Sequence, residues 1–174
     1  MKNCGFSENS LEKVLPFVII SVGGKADAIN YDTENNFMNT RKVNAKQCKM
    51  VAHRGCSGLE KENTLAAFIA AGNRSYWGVE TDVHRTADGE YVVIHDSETG
   101  RVAGDNIVIE NTSFEYIRSL RLKDIDGTRT RADLRIPTLR EYIAICKKYE
   151  KNCVLEFKTV YTLEQVAEMV EIIK

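Results

Sequence analysis

The chain has 174 residues, 43% of them apolar and 28% charged, a balance that excludes intrinsic disorder and sets the expectation of one globular domain with a true core. A formal net charge of −1 leaves no broad electrostatic footprint for nucleic acid or an anionic membrane, so any cationic site must be small and local. The five cysteines, Cys4, Cys48, Cys56, Cys146 and Cys153, show neither CxxC nor CxxH spacing, which argues against a zinc site or a disulfide scaffold and fits a reducing cytoplasm.

The longest apolar run, residues 15–22, falls far short of the about 20 residues a membrane span needs. Glu8 and Glu12 precede it where a signal peptide carries basic residues, so it reads as a short strand, with a cytoplasmic location expected over a secreted one. Residues 24–47 are polar and aperiodic, which makes residues 1–47 an N-terminal extension or linker and residues 48–174 the patterned domain.

A first strand over 49–53 runs into a glycine-bearing loop, Arg54-Gly55-Cys56-Ser57-Gly58. Asn63 or Thr64 caps the helix that follows, with Leu65, Phe68 and Ile69 at helical spacing and Gly72 as terminator. Strands are expected over 78–83 and 91–95. The link between them, 84–90 with Asp88-Gly89 at its turn, is too short for a crossover helix and by itself signals an antiparallel hairpin. Residues 100–137 are the most loop-like part, suiting a lid or insertion. Within them Thr112-Ser113-Phe114-Glu115 reads as a capping box for a helix with Phe114, Ile117 and Leu120 inward. Thr138-Leu139-Arg140-Glu141 is a second box, opening a helix with Leu139, Tyr142, Ile143 and Cys146 on one face. A strand over 153–157 and a final helix, boxed by Thr162 and Gln165 and striped with Leu163, Val166, Met169, Val170 and Ile173, complete an α/β pattern with a largely parallel sheet.

Strand periodicity puts Glu80 and Asp82 on one face, with Val79, Thr81 and Val83 on the other. Neighbouring carboxylates repel, and burying them costs several kcal/mol unless a cation compensates. Glu156 and Lys158 repeat the spacing on the fourth strand, so three carboxylates can converge, and an all-oxygen set favours Mg²⁺ or Ca²⁺ over zinc. His53 and His95 each end an apolar strand on its C-terminal side, where α/β sheets bind ligands. Arg54, beside His53, carries a fork suited to phosphate oxygens. His84 falls in the link and receives no role.

In order, His53-Arg54-Gly55, Glu62-Asn63-Thr64, Glu80-Thr81-Asp82-Val83, Thr86-Ala87-Asp88-Gly89, His95-Asp96, Ile136-Pro137-Thr138-Leu139 and Glu156-Phe157-Lys158 resemble the glycerophosphodiester phosphodiesterase family. The resemblance covers roughly the last 125 residues and leaves the N-terminal extension outside. It implies a TIM-type (β/α) barrel, here its N-terminal half of about four strands. It also implies that 84–90 is an extended return in place of a hairpin, and that an insertion lies within about 97–135. That insertion departs from the family's Leu-x-Arg-Thr-Thr pattern, reading Ser97-Glu98-Thr99-Gly100-Arg101.

By the same resemblance Glu80, Asp82 and Glu156 hold the divalent cation, His53 and His95 are the general acid and base, Arg54 and Lys158 contact phosphate, and Glu62 supports the site. The implied reaction is hydrolysis of a glycerophosphodiester to glycerol 3-phosphate and an alcohol. A barrel usually needs at least about 200 residues, so the expectation is a truncated chain or gene fragment that exposes apolar surface and self-associates. Two other readings remain at this point: an inactive fragment that binds cation and phosphate ester, and a related phospholipase D-type barrel enzyme.

Overall fold

A computed structural model describes residues 17–20 and 47–174. Its sheet is built around β3 (Gly78–Arg85), all but the last residue of which is buried. Along one edge of β3 runs β5 (Asn152–Phe157), parallel and in a register that sets Asp82 opposite Glu156. The other edge is shared by β2 (Val51–Ala52), parallel at Gly78 and Val79, and β4 (Tyr91–Val93), antiparallel at Val83 to Arg85. Outside β5 lies β1 (Phe17–Ile20), antiparallel to it. The strand expected within residues 15–22 is therefore present, and the linker expected over 24–47 lies, but for its last residue, outside the described residues. Among the described residues the sheet stays open, an α/β half-barrel with a parallel core of three strands.

Two strands are shorter than the sequence suggests: β2 spans two residues and β4 ends at Val93. The connection from β3 to β4 is the tight antiparallel hairpin that Asp88-Gly89 signals, correcting the extended return implied by the family resemblance. Gly89 supplies φ +92 at the turn, and Thr86 N donates to Glu90 O at 2.9 Å. Strand β3 consequently runs on through His84 and Arg85.

Helices α1 (Leu65–Gly72), α4 (Leu139–Lys148) and α5 (Leu163–Ile173) cover the sheet. Thr64 caps α1, its hydroxyl accepting from Ala67 N, and complete capping boxes open α4 and α5. Phe68 meets Tyr142 edge to face at 5.0 Å, and Tyr142 Oη donates to Val79 O at 2.6 Å and accepts from Val154 N at 3.2 Å. A buried aromatic of this kind contributes about 1.5–3 kcal/mol through area alone, and its satisfied hydroxyl pins α4 to β3 and β5 together. Ile69, expected inward, is 41% exposed, as are Leu163 and Val170 of the α5 stripe at 65% and 41%.

Residues 97–135 form a compact segment between β4 and α4 containing α2 (Gly100–Ala103), a 3₁₀ turn at Ile109–Asn111 and α3 (Phe114–Ser119). It has its own apolar cluster around Val92, Ile109, Ile117, Leu134 and Ile136. The capping box expected at Thr112 does not form. Ser113 occupies the cap position without a side-chain bond, and the Asp88 carboxylate accepts from Phe114 N at 2.9 Å, a charged acceptor in place of a hydroxyl. Among the described residues no helix is long and apolar enough to cross a membrane.

Candidate active site

Chain geometry at the end of β2 creates the site's first wall. Arg54 and Gly55 both take left-handed φ, +54 and +74. A Cβ on Gly55 would sit 2.8 Å from the Ala67 backbone, so only glycine lets this loop lie against α1. The turn aims Arg54 N at Glu80 Oε2, 2.7 Å away. It leaves His53 with a side chain 67% exposed and its Nε2 3.9 Å from the same oxygen.

Period 2 along β3 and the register with β5 bring Glu80, Asp82 and Glu156 together, with one carboxylate oxygen from each lying within 4.8 Å of the others. Glu80 is 5% exposed and Asp82 fully buried. Glu80 Oε1 and Asp82 Oδ1 are buried without a hydrogen-bond partner, an arrangement that costs free energy unless a cation takes those lone pairs. Burial, reinforced by Asp82 and Glu156, pushes the Glu80 carboxyl up to about 7 against the opposing pull of the Arg54 amide. With every carboxylate ionised, as a bound cation would favour, Glu62, Glu80, Asp82, Asp96 and Glu156 face the cations of Arg54, Arg101 and Lys158 and leave two negative charges, matching one divalent ion. Hard oxygen donors, orphaned lone pairs and this residual charge fit Mg²⁺ or Ca²⁺.

His95 follows β4. Its Nδ1 lies 2.7 Å from Asp96 Oδ1 and its Nε2 3.1 Å from Lys158 Nζ. Lys158 also reaches Glu156 Oε1 at 3.1 Å and Asp82 Oδ1 at 3.6 Å. The Arg54 guanidinium lies against Asp82 Oδ2 through Nε at 3.6 Å and Glu62 Oε1 through Nη1 at 3.1 Å. Glu62 is gripped on both oxygens by Arg101, at 2.9 and 2.8 Å, and Arg101 Nε donates to Asp96 Oδ2 at 2.6 Å. That contact outweighs the opposing effect of burial and, with the His95 hydrogen bond added, holds Asp96 down at about 2. For Glu62, burial works upward, but Arg101 and Arg54 outweigh it and the net shift is downward.

All eight residues singled out from sequence thus lie in one constellation: His53, Arg54, Glu62, Glu80, Asp82, His95, Glu156 and Lys158. Four more belong to it. Asn63, read as a helix cap, is buried with φ +53, and its amide bridges Thr81 and Asp82. Asp96 and Arg101 hold His95 and Glu62. His84, placed in a link by sequence, sits buried in β3 with Nε2 3.3 Å from His95 O, its charged form disfavoured by that burial. The period of β3, had it been continued past Val83, puts His84 on the face of Glu80 and Asp82.

Carboxylates, histidines and cationic side chains thus gather at the strand ends of an α/β half-barrel, an arrangement with donors able to hold a divalent cation beside an anionic group. The chain belongs to the glycerophosphoryl diester phosphodiesterase family, whose model matches residues 53–173. It is 38% identical over 111 residues to glycerophosphodiester phosphodiesterase 1 of Bos taurus, a match covering 62% of this chain and 33% of that protein. Among solved structures it is similar to an Oleispira antarctica phosphodiesterase in complex with the product sn-glycerol-3-phosphate. The TM-score is 0.64 and the identity 32%, over 72% of this chain and 51% of the other. It is also similar to a glycerophosphodiester phosphodiesterase from Thermotoga maritima, with TM-score 0.55 and identity 30%, over 71% and 47% of the two chains. The chain thus spans about a third to a half of the length of these relatives.

Proposed function

We propose that residues 48–174 carry the catalytic half of a barrel that hydrolyses glycerophosphodiesters to glycerol 3-phosphate and an alcohol. The observation that carries this reading is the convergence of Glu80, Asp82 and Glu156, with two buried oxygens that lack a hydrogen bond, flanked by two histidines. When bound at the three carboxylates, a divalent cation supplies Lewis acidity to a phosphoryl oxygen. Arg54 and Lys158 then stabilise the charge growing on the other phosphoryl oxygens. His53 and His95 move protons, one taking a proton from the attacking water, whose oxygen stays on phosphorus, and the other delivering one to the leaving alcohol oxygen. Glu62 holds the Arg54 fork in place.

The likeness to a structure in complex with sn-glycerol-3-phosphate supports glycerol 3-phosphate as the product here. The test is release of glycerol 3-phosphate from glycerophosphocholine by the purified chain with Mg²⁺ or Ca²⁺, repeated with chelator. Chelator-sensitive release is expected; a folded, cation-binding chain without turnover would replace hydrolysis by ligand binding, and choline released with a lipid phosphate would point to phospholipase D-type chemistry.

A further inference from the structure

The two histidines are held very differently. His53 has a mostly exposed ring with one distant carboxylate, whereas both ring nitrogens of His95 are engaged. Behind His95 runs an unbroken line of alternating charge: Asp96, Arg101, Glu62, Arg54 and Asp82. It crosses from the loop after β4 and the first turn of α2 to the loop after β2. Arg101 is the keystone, because its Nε takes Asp96 while its two terminal nitrogens take both oxygens of Glu62.

We propose that Asp96 and Arg101 are positioning residues that lock neutral His95 in the Nδ1–H tautomer and so present the Nε2 lone pair towards Lys158 and the carboxylate cluster. This deepens the hydrolytic reading above and rests on it for its catalytic meaning. The chemistry is one of donors and acceptors. An ionised carboxylate only accepts, so the 2.7 Å contact to Asp96 requires a proton on Nδ1. The Lys158 ammonium only donates, so the 3.1 Å contact to Nε2 requires a lone pair there. Arg101 sets the sign of this arrangement. By donating to Asp96 Oδ2 it keeps Asp96 charged, with the carboxyl held at about 2, and it fixes which oxygen turns towards the imidazole.

The assignment gives an unusual expectation for Asp96→Asn. Arg101 can accept nothing, so it will claim the amide oxygen and turn the NH₂ group towards His95 Nδ1. The ring must then put its proton on Nε2, where it faces another donor. In the double variant Asp96→Asn with Arg101→Met the amide is free to turn over, and its oxygen can again accept from Nδ1.

Long-range ¹H–¹⁵N correlation spectra of the imidazole rings read the tautomer directly in the full chain, which has three histidines, and His84→Gln assists assignment. The expected pattern at a pH where His95 is neutral is Nδ1–H in the unmodified chain, Nε2–H in Asp96→Asn and a return to Nδ1–H in the double variant. A mixture of tautomers in the unmodified chain, or no change in Asp96→Asn, overturns the proposal. Where glycerophosphodiester turnover is present, Asp96→Asn should lower kcat about 10- to 100-fold with KM nearly unchanged, and Asp96→Glu should recover part of it. The spectra do not depend on turnover, so failure of the hydrolytic reading and failure of the tautomer assignment give separate results.

Discussion

Asn63 donates its side-chain amide to Asp82 Oδ2 at 2.8 Å, and the carbonyl of the same amide accepts from Thr81 Oγ1 at 2.9 Å. A residue at the entry to α1 thereby fixes a fully buried carboxylate on the central strand. Its backbone is held at φ +53, a conformation asparagine tolerates better than most residues. Asn63→Leu removes both bonds and keeps the bulk. The expected result is a stability loss of about 1–3 kcal/mol from the polar groups left behind, to which the strain of leucine at φ +53 adds, and a cation affinity lower by about 10- to 100-fold. Denaturant unfolding and calorimetric titration with Ca²⁺ measure the two effects.

The Glu80 carboxyl has an ordinary value of 4.5 and stands at about 7 in the folded chain. Between those values the folded state retains a proton that the unfolded chain has released. Without cation, stability should therefore fall as pH rises from 4.5 to 7, with the penalty fully developed above about 7. Saturating Ca²⁺ should oppose the fall, and its uptake at pH 6 should release protons. Thermal midpoints at pH 5 and pH 8, with chelator and with Ca²⁺, check this. A chelated chain as stable at pH 8 as at pH 5 would contradict it.

Replacing Glu80 itself should separate the costs of the site from its use. Glu80→Gln removes a charge from a crowded cluster, so the chelated variant should lose most of the pH dependence just described. Its cation affinity should drop by at least about 10-fold through loss of a ligand charge. Titration of Mg²⁺ and Ca²⁺ into both proteins is the measurement, and equal affinities would remove Glu80 from the cation site.

His53→Ala and His95→Ala should each reduce turnover by about 10²- to 10⁴-fold, the range of a general acid or base. Steady-state release of glycerol 3-phosphate from glycerophosphocholine reads the effect. Unchanged rates for either variant would remove that ring from proton transfer.

Gly55→Ala tests the wall on which Arg54 sits. The added methyl meets the Ala67 backbone at 2.8 Å and the backbone must keep φ +74, so clash and strain act together. A stability loss of about 2–4 kcal/mol is expected, and chemical denaturation measures it.

Much of this was legible from local pattern. Period 2 alone put Glu80 and Asp82 on one face, and the Thr138 and Thr162 boxes marked two helix starts that the structure keeps. What escaped depends on long-range register. Spacing suggested that Glu156 joins the acid pair, but the register that sets it opposite Asp82 follows from the crossover between β3 and β5, which no spacing along one strand encodes. Arg101 was visible only as a departure from a familiar motif, because its meaning lies in contacts to Glu62, 39 residues away in sequence. At the 84–90 link the local chemistry was the better guide: Asp-Gly built its hairpin, and the fold-level expectation of an extended return gave way. Thr112 failed for the opposite reason, since the tertiary neighbour Asp88 displaced a cap that was sound by sequence alone.

Strand β1 lies antiparallel along the outer rim of β5, Phe17 opposite Glu156 and Ile20 opposite Cys153. A strand has one row of hydrogen-bonding groups on each side, so this rim is a single berth. Any further parallel strand that joined β5 to continue the curve of a barrel would have to evict β1 first, swapping one set of ladder bonds for another of similar worth. The exchange would take place along the backbone that carries Glu156, which makes the occupant of that rim, whichever it is, the neighbour that sets the pitch of one arm of the acidic cluster.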